Sequence, residues 1–226
     1  MSRRFIIPVI FGLAGLAVFI WLGSWQLQRL HWKEGVLAEI DARIGAPPVG
    51  LPATPDPQAD RFLPVEVSGV MTGDELHVLV SSRDFGAGFR IISAFETGGR
   101  RIMVDRGFVL ATGKDKPRTT GAMTVLGNLH WPDERDSYTP ANEPERNYWY
   151  ARDVSVMAAA LDGDPILLIA RSQTDPGVKP MPVTSTGIPN DHLEYAITWF
   201  LLAATWVVMT GFSLWRIKRR SPEDKT

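Results

Sequence analysis

Two stretches decide the architecture of this 226-residue chain: FIIPVIFGLAGLAVFIWL, from Phe5 to Leu22, and YAITWFLLAATWVVMTGFSLW, from Tyr195 to Trp215. Neither holds a charge, and the first continues uncharged to Gln28. A bilayer core of about 30 Å needs roughly 20 such residues in an α-helix, so each stretch can cross it. Pro8 is read in the first helical turn, where a missing N–H matters little. Thr198, Thr205, Thr210 and Ser213 are the polar groups of the second stretch, and their hydroxyls can bond back to the helix. Trp21, Trp25, Trp199 and Trp215 suit interfacial belts.

The basic Arg3 and Arg4 before the first stretch fit a secretory n-region, with Ala14 and Ala17 as small residues. The apolar run is longer than a usual signal core, and bulky Trp21, Leu22 and Trp25 follow it, so an uncleaved anchor is expected. An Arg-rich amphipathic transit segment is not seen, which points to a bacterial inner (plasma) membrane. Arg3 and Arg4 flank one span, and Arg216, Lys218, Arg219 and Arg220 the other. Residues 31–193 hold 16 basic and 22 acidic residues, a net of −6, with Lys33 the one contrary charge near the lipid. Both termini are therefore expected in the cytoplasm and the middle outside it, in the periplasm. The boundaries read as a cytoplasmic 1–4, a transmembrane helix 5–29, an outer domain 30–193, a second transmembrane helix 194–215 and a cytoplasmic tail 216–226.

The whole chain carries 24 basic and 25 acidic residues, so no nucleic-acid-binding surface is expected. It has no cysteine, which excludes disulfides, thiolate metal sites and covalent c-type haem attachment. Gly-x-Gly-x-x-Gly, P-loop and His-Glu-x-x-His motifs are missing, and no acid–base constellation is visible, so an enzyme is not expected.

The middle reads as one α+β domain. Residues 46–57 hold five prolines and form a semi-rigid connector. Before it, Trp32–Ile44 either continues the first helix or breaks into a short one. Strands are expected at Phe62–Val70, Glu75–Ser81, Phe89–Glu96, Arg100–Val109, Met123–His130 and Ile166–Arg171. Phe95–Arg100, with Gly98-Gly99 inside it, reads as a tight hairpin. Ile102 and Val104 are expected on one face, Met103 and Asp105 on the other. Asp153 should cap a helix running to Leu161. The fold class expected is thus a two-span helical hairpin enclosing an extracytoplasmic α+β domain, whose sheet is a small antiparallel barrel or strongly curled, since closure protects edge strands.

Four histidines are present. His77 and His130 fall in or beside strands and read as structural groups, whereas His31 leaves the first span and His192 enters the second. Tyr195 and Trp199 follow His192 at i+3 and i+7, on one helical face. On the first helix Trp25, Arg29 and Trp32 are related in the same way, with Gln26, Arg29 and Lys33 beside them. An imidazole among aromatic rings and cations can ligate iron, pack on a macrocycle and neutralise propionates, which describes a haem or quinone site. The same groups also serve as interfacial anchors on lipid headgroups.

Four segments resemble one family: Gly23-Ser24-Trp25-Gln26-Leu27-Gln28-Arg29-Leu30-His31-Trp32-Lys33, Val104-Asp105-Arg106-Gly107-Phe108-Val109, Tyr138-Thr139-Pro140-Ala141-Asn142 with Trp149-Tyr150-Ala151-Arg152-Asp153, and Pro189 through Phe200. In that order they are similar to the signatures of the Surf1/Shy1 family of cytochrome c oxidase assembly proteins, its bacterial members in particular. Phe108 departs from the family's usual Trp and lacks its indole donor. The resemblance implies an assembly factor that binds haem a transiently and without a covalent bond, aiding its delivery to or retention in oxidase subunit I. It implies His192 as the metal ligand, with Tyr195, Trp199, Trp25, Gln26, Arg29, Trp32 and Arg106 as site or scaffold residues. Arg29 and Arg106 would face propionates; alternatively Arg106 caps a bulge at Gly107. His31, water or a partner's side chain would complete the iron. Membrane lipids, haem A synthase and a second copy of the chain are further partners this reading admits. The alternative is a membrane-anchored interaction protein that stabilises an oxidase intermediate without binding haem.

Overall fold

Both apolar stretches are helical in the computed structural model, which describes residues 3–82 and 86–220. Met1 and Ser2 of the N-terminal flank and residues 221–226 of the basic tail lie outside the described residues. Helix α1 spans Arg3–Ile44 and α3 spans His192–Arg220. Their apolar parts are long enough to cross a membrane by length and composition. Because α1 begins at Arg3, Pro8 falls beyond the first turn and removes one helix hydrogen bond. Of the two courses open to Trp32–Ile44, the helix takes the continuous one, since that segment has no proline. It stops where Gly45 donates to the Asp41 carbonyl and Pro47-Pro48 follow. The Thr198 and Thr205 hydroxyls donate to the carbonyls four residues back, at 2.9 Å each.

The chain divides into two compact units, residues 1–39 with 186–226, and residues 40–185. In the first unit α1 and α3 are antiparallel neighbours. Gly12 meets Thr210, Gly15 meets Trp206, and Gly23 meets Phe200. A Cβ added at Gly15 would lie 2.5 Å from the Trp206 indole, and one at Gly23 would lie 2.8 Å from the Phe200 ring. The indole Nε1 of Trp206 donates to the Gly12 carbonyl at 2.9 Å, and Phe19 stacks on Trp199 with centroids 6.1 Å apart. Ala196 and Ala203, seven residues apart, are buried on α3. The contacting residues Gly12, Phe19, Gln26 and Lys33 also recur every seven residues. This is the spacing of a left-handed helix pair.

In the second unit β1 (Pro64–Ser82), β2 (Gly86–Thr97), β3 (Arg100–Leu110), β4 (Gly121–Leu129) and β5 (Leu167–Ala170) close in the ring order β1-β2-β3-β5-β4. The small curled sheet expected from sequence is therefore present. Four of the five pairings are antiparallel and β3–β5 is parallel. That exception arises because the connection from β3 to β5 carries β4 and helix α2 (Val154–Ala160), long enough for a crossover. The two strands expected at Phe62–Val70 and Glu75–Ser81 are one strand, with a bulge between Met71 and Glu75. β1 turns from β4 to β2 there, so one long bent strand borders two neighbours.

Alternation along β3 sorts the core. Ile102 and Val104 join Val65, Phe95, Val125 and Leu168 on one face, while Met103 packs on the other with Met157 and Ala158 of α2. Asp153 caps α2, its carboxylate accepting from the Val156 N–H at 3.2 Å. Gly98 (φ +56°) and Gly99 (φ +75°) form the β2–β3 hairpin turn.

Gly107 (φ +114°) marks a second bulge, where the β2–β3 register shifts between Ile91 and Ile92. A Cβ there would collide with the Lys179 carbonyl. Phe108 and Lys179 exchange backbone hydrogen bonds of 2.7 and 2.9 Å beside it. Gly107→Ala should therefore destabilise this unit by at least about 2 kcal/mol, through both strain and collision. Gly73→Ala, at an open position with nothing within 4 Å, should stay within about 0.5 kcal/mol of wild type. Denaturant unfolding of the full chain in detergent, followed by tryptophan fluorescence, checks both.

Candidate functional site

The helix pair brings Gln26 and His192 together. One heptad beyond the Phe19–Trp199 stack, the His192 Nδ1 lies 2.8 Å from the Gln26 Oε1. One heptad further, Lys33 donates to the Pro189 carbonyl. His192 is the first residue of α3 and half-buried. An amide oxygen only accepts, so in the neutral imidazole Nδ1 is the donor and Nε2 carries the lone pair. Among the described residues no polar atom bonds that Nε2.

Around this pair, Tyr195 is exposed one turn along α3, and Trp199 is half-buried against Phe19. On α1, Trp25 is exposed one residue before Gln26. The Arg29 guanidinium lies 4.4 Å from the Trp32 ring centroid, both side chains being exposed. That stacking leaves its N–H groups available to an anion. His31 is exposed on the same helix. Seven of the eight residues singled out from sequence thus belong to one helical unit.

Arg106 does not. It is 1 % exposed within the barrel unit, where Nε donates to the Thr174 Oγ1 and Nη2 to the Thr174 carbonyl, each at 3.0 Å. Its place as the extra residue of the Gly107 bulge is the structural alternative weighed from sequence. A guanidinium enclosed in this way is a fold element rather than a propionate clamp, because it is shut off from solvent and bonded to Thr174 of its own unit. Its neighbour Asp105 is fully buried, accepting from Arg90 Nε at 2.7 Å, Arg152 Nη1 at 3.3 Å and the Gly107 N–H at 3.1 Å.

Among the described residues no three His, Asp or Glu side chains cluster to hold a bare metal ion. A single imidazole still suits haem, whose macrocycle supplies the in-plane ligands and leaves the axial positions to the protein. Donor chemistry at His192 fits that group: an imidazole with one nitrogen bonded and the other unoccupied among the described residues, beside exposed aromatic faces and a cation.

The sequence pattern of the SURF1 family matches residues 13–204, a segment that takes in most of α1, the whole barrel and the start of α3. The chain belongs to the SURF1 family. Surfeit locus protein 1 of Mus musculus is 32 % identical, over 89 % of this chain and 72 % of the relative. The same-named protein of Homo sapiens is 32 % identical over 81 % and 69 %. A SURF1-like protein of Monosiga brevicollis is 30 % identical over 84 % and 81 %. The role at family level is that of a cytochrome c oxidase assembly factor, and the two long apolar helices match an inner-membrane protein.

Within this SURF1 chain two further residues carry chemistry that sequence reasoning assigned only to structure. His77 is buried, with Nε2 2.7 Å from the Glu75 carboxylate. His130 stacks on Phe62 at 5.1 Å, and its Nδ1 is buried without a partner. Burial, reinforced by the Arg152, Arg61 and Arg90 charges and only partly opposed by Glu134, pushes the His130 imidazole down to about 4 from 6.5. Between those two values the unfolded chain binds the proton and the folded chain does not. The contribution of neutral His130 to stability is thus full above about pH 6.5 and falls away as pH drops toward about 4. Denaturant midpoints of the full chain across this window should fall with acidity in wild type and flatten in His130→Gln.

Proposed function

We propose that this SURF1 protein holds haem a as cargo through His192 and aids its delivery to, or retention in, subunit I of cytochrome c oxidase. The observation that carries this reading is the His192–Gln26 pair, which leaves the second imidazole nitrogen without a partner among the described residues, at the polar end of two paired apolar helices. Tyr195, Trp25 and Trp199 would pack against the macrocycle, and Arg29 with Trp32 would face the propionates. Binding is non-covalent, since the chain has no cysteine to attach a vinyl group. One protein ligand suits a carrier that must let go. Water, His31 or a side chain of the receiving subunit would complete the iron. Haem A synthase as donor, membrane lipids around the helices and a second copy of the chain complete the partners of this reading.

For topology we propose residues 5–29 and 194–215 as the spans, with 1–4 and 216–226 in the cytoplasm and 30–193 on the outer side. The basic flanks and the net −6 of residues 31–193 support it. Placing the chain in a bacterial inner membrane rests on composition, the relatives named above being animal and choanoflagellate proteins.

Wild type purified from a haem-a-making host should show a Soret band, and His192→Ala from the same host should lose at least about tenfold of the haem while melting as wild type does. Colourless wild type, or an unchanged haem content in the variant, overturns the reading.

Tyr138 favours a second reading, because this large ring in one of the family segments is 90 % exposed. A membrane-anchored interaction protein would use it against an oxidase intermediate without binding haem. That reading expects Tyr138→Asp to reduce co-purification of subunit I by about tenfold or more. It also expects haem content to be the same in wild type and His192→Ala.

A further inference from the structure

We infer that Gln26 is a positioning residue that holds His192 in one neutral tautomer, so that Nε2 is the atom presented to iron. This rests on the haem reading for its purpose but not for its test. A neutral imidazole has a proton on one nitrogen and a lone pair on the other, and only the lone pair can bind a metal. Ring orientation and tautomer are set by whatever the other nitrogen bonds.

The four imidazoles differ in this respect. His77 commits Nε2 to Glu75 and leaves a buried, partnerless Nδ1. His130 also has a buried, partnerless Nδ1, where no macrocycle could reach. His31 is exposed and has no hydrogen-bond partner among the described residues. His192 alone among them has Nδ1 bonded to a fixed acceptor and Nε2 without a protein partner.

Gln26 is itself held at a contact position of the helix pair, seven residues from Phe19 and seven from Lys33, both of which meet α3 or its approach. Its amide therefore arrives with the helix packing, and the acceptor is in place before any ligand binds. A neutral amide oxygen orients the ring without adding charge. A carboxylate there would draw the Nδ1 proton harder and make Nε2 a stronger electron donor.

The experiment uses the full chain in detergent micelles, labelled with nitrogen-15 at histidine, at a pH near 8.5 where an ordinary imidazole (pKa about 6.5) is neutral. His192→Ala assigns the resonance among the four histidines. Wild type should show His192 as the Nδ1–H form. Gln26→Leu should shift its population toward the Nε2–H form by about fivefold, the ratio that a net hydrogen bond of about 1 kcal/mol sets at 25 °C. Gln26→Glu should restore the Nδ1–H form. With haem loaded, Gln26→Glu should also lower the iron midpoint potential relative to wild type, while melting as wild type does.

A wild-type ring protonated on Nε2, or a tautomer ratio unmoved in Gln26→Leu, overturns the inference. Because the tautomer is read without haem, failure of the haem reading is seen separately, as unchanged haem content in His192→Ala.

Discussion

Close approach of two helices without a hydrophobic driving force is the constraint on which the first unit depends. In hydrocarbon, Leu or Phe gains nothing by leaving lipid for a neighbouring helix, so pairing rests on tight packing and on the few polar bonds available. Gly12, Gly15 and Gly23 supply the space, and Thr210, Trp206 and Phe200 fill it. The Trp206 indole adds a bond to the Gly12 carbonyl that a side chain on residue 15 would obstruct, since its Cβ would lie 2.5 Å from the indole nitrogen. Once these contacts set the register, the seven-residue repeat carries it forward to Gln26 and His192. A one-residue slip of α1 would turn its contact face by about 100° and take Gln26 away from the imidazole.

The barrel unit obeys a different rule. A ring of five strands leaves no open edge, and among the described residues its buried charges are answered within it. Asp105 is enclosed by Arg90, Arg152 and the Gly107 N–H, and Arg152 also reaches Glu134. Removing the carboxylate would leave the buried Arg90 guanidinium without its counter-charge, a far larger loss than an exposed ion pair. The segment Val104–Val109 is thus explained by the fold: alternating core faces, one buried ion cluster and one bulge.

Much of this was legible because it follows from local periodicity. Two long uncharged runs, the Gly98-Gly99 turn, the Asp153 cap and the alternation at Ile102–Asp105 each act over a few residues. What was not legible depends on distant chain. The parallel partner of β3 is Leu167–Ala170, and nothing local distinguishes that run from an antiparallel strand. Arg106 reads as an available cation until Thr174 is placed beside it. At the candidate site His192 and Gln26 were both singled out, yet on separate grounds, and their bond was not anticipated. A signal for it existed in the spacing Gly12, Phe19, Gln26, Lys33 against Ala196 and Ala203. It becomes readable only when glycine and alanine are counted as contact residues and not as filler.

The polar layer at Gln26 and His192 has an energetic meaning of its own. A hydrogen bond between membrane helices contributes about 0.6 kcal/mol on average, because each partner finds other acceptors when the helices separate. The glycine contacts and the Trp206 bond already lie along the same interface, over Gly12 to Gly23. An apolar pair of similar size at positions 26 and 192 would therefore hold the helices about as well. Stability of the pair is a poor reason for placing an imidazole and an amide there. The proposed ligation accounts for them better: the amide bonds only one ring nitrogen, and the other has no partner among the described residues.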